Sequence, residues 1–205
     1  MTNWLAKALR LLFFAVIVRA VVLIVLGLNV RHRERLPASG PAVVVANHNS
    51  HLDTMVMMTL LPLRLLPKVR PVAAMDYFLG NGKALAWFAL NIIGILPLAR
   101  KRKSADDDPL AECERALARD EILIFFPEGS RGEPERLSEF KTGVARLAER
   151  KPKVAVTPVF MHGLGKSLPR GEALLVPFFC DVFVGERLQW RGNVDEYMRE
   201  LEATM

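Results

Sequence analysis

The chain has 205 residues, with 28 Lys or Arg against 22 Asp or Glu, and 51% of it is apolar. That length holds one domain and an appended segment at most, and a mean hydropathy of +0.20 is high for a chain that meets only water. The small positive excess suits nucleic acid, an anionic membrane surface or a phosphorylated substrate without choosing among them. Two lone cysteines, Cys113 and Cys180, with no Cys/His cluster, argue against structural zinc and read as apolar packing.

Residues 4–30 read WLAKALRLLFFAVIVRAVVLIVLGLNV. The apolar runs, 11–18 and 20–28, are split by Arg19. A spanning helix needs about 20 apolar residues and would bury that charge at a high cost. No small-residue cleavage site follows, so a signal peptide does not fit. Lys7 and Arg10 stand before the apolar runs, and Arg31, Arg33 and Arg35 after them. Positive charge on both sides disfavours a one-way span and suits a segment that dips into one leaflet or lies along it. At about 100° per residue, Asn3, Lys7 and Arg10 share a face that excludes Arg19. Two helical pieces therefore fit better than one amphipathic helix, and a single tilted span with Arg19 snorkelling stays open. Residues 1–35 are read as a membrane-associated helical segment. The turn-rich LPASGP (36–41) opens a domain of residues 36–205.

From there strands and helices alternate. AVVVA (42–46) has the continuous apolar character of a strand covered on both faces. Residues 53–61 form a helix stopped by Pro62, 69–75 a strand, 82–93 an apolar helix, and 94–99 a short strand or turn. Residues 107–119 form a helix with an Asp/Pro start, 121–126 a core strand, and 140–150 a helix. Strands follow at 154–160 and 174–186, and a closing helix at 194–203. This order predicts an α/β fold: a mixed, largely parallel sheet flanked by helices, with the hydrophobic N-terminal segment attached.

Polar clusters sit where strands stop: ANHNSHLDT (46–54), Arg100, FPEGSRG (126–132) and PVFMHG (158–163). In open α/β sheets the ligand crevice lies outside the carboxyl ends of the strands, so these turns can converge. His48 on the loop and Asp53 on the first helical turn can meet. The carboxylate then holds one imidazole nitrogen and leaves the other as a general base. The competing reading is that Ser50 caps the helix, Asp53 completes a capping box and His48 is a loop histidine. Ser130 has Glu128 where a nucleophile elbow needs glycine. GLGKS (163–167) lacks the first glycine of a phosphate-binding loop. Without a covalent nucleophile, the base would activate a hydroxyl or water on a bound substrate. Arg100 and Arg131 can hold a phosphate through paired guanidinium donors, although a lone arginine is more often a solvated surface residue.

NHNSHLD (47–53) resembles the N-H-x-x-x-x-D block of the glycerolipid acyltransferases, which include the lysophosphatidate acyltransferases. GILPLAR (94–100) is similar to their second block, FPEGSRG to their FPEGTRS block, and VAVTPVF, with Pro158, to their fourth. VFVGERL (182–188) is similar to their last strand. The resemblance implies transfer of a fatty acyl group from acyl-CoA or acyl carrier protein, as co-substrate, to the free hydroxyl of a lysophospholipid. The favoured acceptor is 1-acylglycerol-3-phosphate, giving phosphatidic acid. It implies His48 as base, Asp53 as its orienting carboxylate and no acyl-enzyme. Arg100, Glu128, Gly129 and Arg131 would form the acceptor's phosphate site, with Glu128 positioning an arginine or a backbone turn. Pro158 would shape the acyl-donor cleft. No metal, resident cofactor or nucleic acid is implied. The setting would be a membrane, at the cytoplasmic face of the inner or plasma membrane. Ala99 stands where the family often has aspartate, His51 where tryptophan is common, and Ser130 where threonine is usual. His51 is assigned packing or lipid contact. Another acceptor, such as a lyso-ornithine lipid, a membrane-bound lipid or thioester hydrolase, and a non-catalytic lipid-binding protein are the alternatives.

Overall fold

The structure, a computed structural model, describes residues 3–50, 52–74, 82–98, 108–132, 136–167 and 179–205. These run through helix α1 (Asn3–Leu12), strands β1 (Gly27–Arg31) and β2 (Ala42–Ala46), helix α2 (Asp53–Leu60) and strand β3 (Val69–Ala74). Then come helix α3 (Lys83–Phe88), strand β4 (Leu96–Leu98), helix α4 (Ala111–Ala118), strand β5 (Ile122–Phe125) and helix α5 (Gly143–Arg150). Strand β6 (Val156–His162), helix α6 (Leu164–Ser167), strand β7 (Phe179–Val184) and helix α7 (Val194–Thr204) complete them.

The strands form one sheet in the order β1-β7-β6-β2-β5-β3-β4. Every pairing is parallel except β6 with β7, which is the mixed, largely parallel sheet expected from the sequence. Both central strands β2 and β5 are buried along their whole length. Their side chains alternate between two cores, as strand geometry requires. Val44 points to a core shared with Val56, Met57, Phe14 and Val22. Val43 and Val45 point to one built from Cys113, Leu117, Leu147 and Leu201. The first core lies under α2 and the N-terminal helix, the second under α4, α5 and α7.

The N-terminal segment departs from its sequence reading in three ways. First, the two helical pieces join without a loop. Wide π turns at Phe13–Val18 and Val21–Val25 continue α1, with Arg19 and Ala20 in helical conformation between them. The buried positions are Ala6, Arg10, Phe14, Val18, Val22 and Leu26, each four residues after the last. In a regular α-helix steps of four drift by about 40° each; wide turns remove that drift and keep the stripe facing the sheet. Second, Arg10 belongs to this buried stripe, while Lys7 is exposed. The polar face expected for Asn3, Lys7 and Arg10 does not form as a unit. Third, Gly27–Arg31 is the edge strand β1, paired with Phe179–Phe183, so the last part of the apolar run belongs to the sheet. Among the described residues no helix is long and apolar enough to cross a membrane.

Candidate active site

Strand β2 ends against a side chain that extends its ladder. Asn47 is buried; its Nδ2 donates to the Met161 carbonyl at 2.8 Å and its Oδ1 accepts from the Met161 amide at 2.7 Å. This amide takes the place of a backbone pair with β6 and frees the following residues to turn. Asn47 Nδ2 also donates to Asn49 Oδ1 at 2.9 Å.

The turn closes on one carboxylate oxygen. Asp53 Oδ2 accepts from the Asn49 amide at 2.7 Å, the Ser50 amide at 2.8 Å and His48 Nδ1 at 2.9 Å. Asp53 is only 1% exposed, so its charge is compensated by these donors and by the N-terminal end of α2. Ser50 Oγ accepts from the Leu52 amide at 3.2 Å, and the bond from the Ser50 amide to Asp53 forms one half of a capping box. The oxygen that closes the turn therefore also holds His48. The imidazole stacks on Phe126, with ring centroids 4.2 Å apart and planes 23° apart. With Nδ1 committed to Asp53, Nε2 is the nitrogen left for a substrate.

A second loop grips the His48 main chain. The loop after β5 gives Glu128, whose Oε1 accepts from the His48 amide at 2.7 Å. The Gly132 amide donates to the His48 carbonyl at 2.9 Å. Glu128 Oε2 accepts from the Ser138 amide at 3.1 Å, and Asn49 Nδ2 donates to the Arg136 carbonyl at 3.1 Å. Glu128 is 3% exposed. Burial pushes its carboxyl above the ordinary value, against the pull of the amide donors. Its oxygens face backbone amides, so its place in the structure is as a clamp on the His48 loop.

His48, Phe126, Gly129, Ser130 and Arg131 line one part of a cleft of about 510 Å³. Apart from Thr54, the rest of its wall is apolar: Met55 from α2, Pro71 and Val72 from β3, Leu85 and Phe88 from α3, and Ile93 and Ile95 beyond it. Gly129 takes a positive φ of 69°, a conformation that favours glycine. The space where its Cβ would stand is taken by Lys141, whose Nζ lies 2.6 Å from that position. The Lys141 amide donates to the Pro127 carbonyl at 2.9 Å, which fixes the lysine along the same turn. Sequence reasoning missed Lys141; its only early signal is a cation ten residues after Arg131 at the start of a helix.

The structure thus brings His48, Asp53, Glu128, Gly129 and Arg131 together. It does not bring in Pro158. That residue pairs with Val45 in the middle of β6, and its ring packs where a Cβ on Gly185 would stand, 2.8 Å from Cγ. It is not among the residues lining the cleft. A proline in a central strand gives up a ladder hydrogen bond; here its carbonyl still accepts from the Gly185 amide at 2.9 Å. Arg100 and His51 lie outside the described residues.

Residues 27–162 match the family model described as Acyltransferase. The chain is 33% identical over 151 residues to the chloroplastic 1-acyl-sn-glycerol-3-phosphate acyltransferase of Arabidopsis thaliana, covering 71% of this chain and 38% of that one. It is 31% identical over 158 residues to the human 1-acyl-sn-glycerol-3-phosphate acyltransferase alpha, covering 76% and 53%. It therefore spans about half the length, or less, of these curated relatives. Its fold is similar to that of the 1-acyl-sn-glycerophosphate acyltransferase PlsC from Thermotoga maritima, with a TM-score of 0.73 and 21% identity over 98% of this chain and 76% of that one. With two thirds of its length inside the family model and the His48–Asp53 pair set at the mouth of an apolar cleft, the chain belongs to the acyltransferase family.

Proposed function

We propose that the protein transfers a fatty acyl group from a thioester to the free hydroxyl of a lysophospholipid, with 1-acylglycerol-3-phosphate as the preferred acceptor. The observation that carries this reading is the placement of a carboxylate-oriented histidine where an apolar cleft meets a cationic rim. A lysolipid and an acyl thioester each have a long apolar tail and a polar head, and the cleft offers both environments to His48.

In the reaction, His48 Nε2 takes the acceptor's hydroxyl proton as that oxygen attacks the thioester carbonyl carbon. The C–S bond breaks as the tetrahedral adduct collapses. The proton passes from His48 to the departing sulfur, so an ester and a thiol leave and the histidine is neutral again. Asp53 holds the imidazole and stabilises its transient positive charge. No enzyme side chain is acylated, and the co-substrate, acyl-CoA or acyl carrier protein, is the sole carrier needed. Arg131 and Lys141 hold the acceptor's phosphate, with Gly129 leaving room for the Lys141 side chain and Arg100 as a further proposed contact; Glu128 keeps His48 in place.

A membrane setting is part of the proposal. The outward side of the N-terminal helix exposes Trp4, Leu12, Val16, Ile17, Leu23 and Ile24, each more than half exposed. Trp87 and Leu90 add to the apolar surface beside α3. Such a surface suits the acyl region of one leaflet, with Arg31 and Arg33 near its anionic headgroups. The test is to incubate the protein with lysophosphatidate and labelled oleoyl-CoA. Labelled phosphatidic acid is expected, and His48→Ala removes it while circular dichroism stays unchanged. Full turnover by His48→Ala overturns the base; free fatty acid formed without lysolipid points to hydrolysis instead.

A further inference from the structure

Five of the six buried stripe positions on the N-terminal helix are apolar, and the sixth is Arg10. Among the described residues it is the one lysine or arginine that is buried, at 6% exposure. Its Nη2 donates to the Val69 carbonyl at 2.7 Å. Its guanidinium lies over Gly94: a Cβ built there would stand 2.5 Å from Nη1, 2.6 Å from Cζ and 2.7 Å from Nη2. Three nearly equal distances to one point place the flat group face-on against the glycine. Its Nε has no partner, and burial with Arg70 nearby lowers its pKa to about 10, which leaves it charged at neutral pH. Glu121, the carboxylate that favours the charge, is itself paired with Arg70 at 3.2 Å.

A buried cation is an expensive way to pack a helix when leucine would fill the stripe. What arginine offers is a planar donor that reaches two elements at once. Val69 opens β3, whose Pro71 and Val72 line the apolar cleft, and Gly94 separates Ile93 from Ile95, which also line it, just before β4 pairs with β3. Three residues further along the same helix, Phe13 packs edge-on against the cleft residue Phe88 with centroids 5.4 Å apart.

We propose that Arg10 is a positioning residue for acyl-donor selectivity: from behind the cleft it ties the β3 wall to the Gly94 turn and so sets the width available to the acyl chain. This deepens the proposed acyl transfer and rests on it. The N-terminal helix is then part of the acyl site as well as a membrane-facing element. A donor that reaches the tied walls depends on Arg10, and one too short to reach them does not.

The test compares full-length wild type, Arg10→Met and Arg10→Lys in detergent micelles, with acyl-CoA donors from eight to eighteen carbons and lysophosphatidate as acceptor. Arg10→Met is expected to lower kcat/KM for the sixteen- and eighteen-carbon donors about tenfold while leaving the eight-carbon donor within twofold. Arg10→Lys keeps a charge and one donor but cannot lie flat on Gly94. A selective loss of about threefold is expected for it, and it decides the matter if the methionine variant does not fold. Equal loss at every chain length, or no loss, overturns the proposal. So does an unchanged chain-length profile in micelles combined with lost flotation on phosphatidylglycerol vesicles, which would make Arg10 an anchor residue alone. If wild type acylates no lysolipid, the reading of the reaction fails instead, and that outcome is visible before any variant is compared.

Discussion

The polar and apolar parts of the cleft are held by different means. Around His48 every element is fixed by directional bonds: its ring by Asp53 and Phe126, its amide by Glu128, its carbonyl by Gly132. The backbone of the apolar wall sits in sheet and helix, but the side chains that β3, α3 and the residues after α3 present to the cleft are held by packing, with Arg10 and Phe13 behind them. The proton transfer proposed for His48 tolerates little misplacement, and short hydrogen bonds with buried partners suit it. A chain of methylenes needs width and length rather than a point of contact, and packed side chains supply those. Damage to the polar part should therefore reduce the rate with every substrate, whereas damage to the cationic rim or the wall should act on some substrates and spare others.

Asp53→Asn is the sharpest way to break the polar part. The asparagine side chain can still accept from the loop amides, but it lacks the charge that stabilises the imidazolium. Turnover is expected to fall about 10²–10⁴-fold for every donor and acceptor. The variant should unfold at lower urea, by roughly 1–3 kcal/mol, because one oxygen serves three donors. Wild-type turnover with only the stability loss would reduce Asp53 to its capping role and leave His48 without an orienting partner.

How far the sequence reveals each part follows from the reach of the contacts. His48 and Asp53 are five residues apart on a strand-to-helix turn, so their meeting follows from local geometry. The hydrogen bond from the His48 amide to Glu128 spans 80 positions. It uses a backbone donor, which no side-chain pattern displays, and resemblance therefore groups Glu128 with the phosphate ligands around it. The buried strands β2 and β5 announce themselves as continuous apolar runs. Edge strand β1 does not, because it begins inside the apolar run of residues 20–28 that the helix before it also uses. Sequence spacing groups Arg10 with Lys7; within regular α1 it also lies one turn after the buried Ala6, and packing against the sheet decides which way it faces. Pro158 carries a role through resemblance alone, and its ring sits against Gly185 on another side of β6.

A smaller and selective effect is expected at the rim. Lys141→Gln removes one cation beside Gly129 while keeping the length of the side chain near that of the original. For an exposed pairing worth about 1 kcal/mol, the KM for lysophosphatidate should rise roughly fivefold. A monoacylglycerol offered as acceptor has no phosphate to lose and should show no change. Steady-state kinetics with both acceptors separates the cases. An equal rise for both would mean that Lys141 supports the turn mechanically and does not meet the phosphate.

The smallest effect is a slope with pH, and it examines the clamp itself. Burial raises the Glu128 carboxyl above its ordinary value of 4.5, so the folded protein binds that proton more tightly than the unfolded chain. The stability this contributes is fully present below 4.5 and is lost as pH rises through the raised value. Above the raised value the wild type carries a buried carboxylate, which glutamine avoids. Glu128→Gln loses one good acceptor, since its amide nitrogen cannot accept from either the His48 or the Ser138 amide, and it should be less stable by roughly 1–3 kcal/mol. That deficit should be smallest above the raised value and should widen as pH falls through it toward 4.5, because only the wild type gains from protonation. Urea titrations of both proteins across this range measure it. A deficit that stays flat or shrinks on acidification would mean that the two amides outweigh burial at Glu128, making the clamp an ordinary stabilised carboxylate.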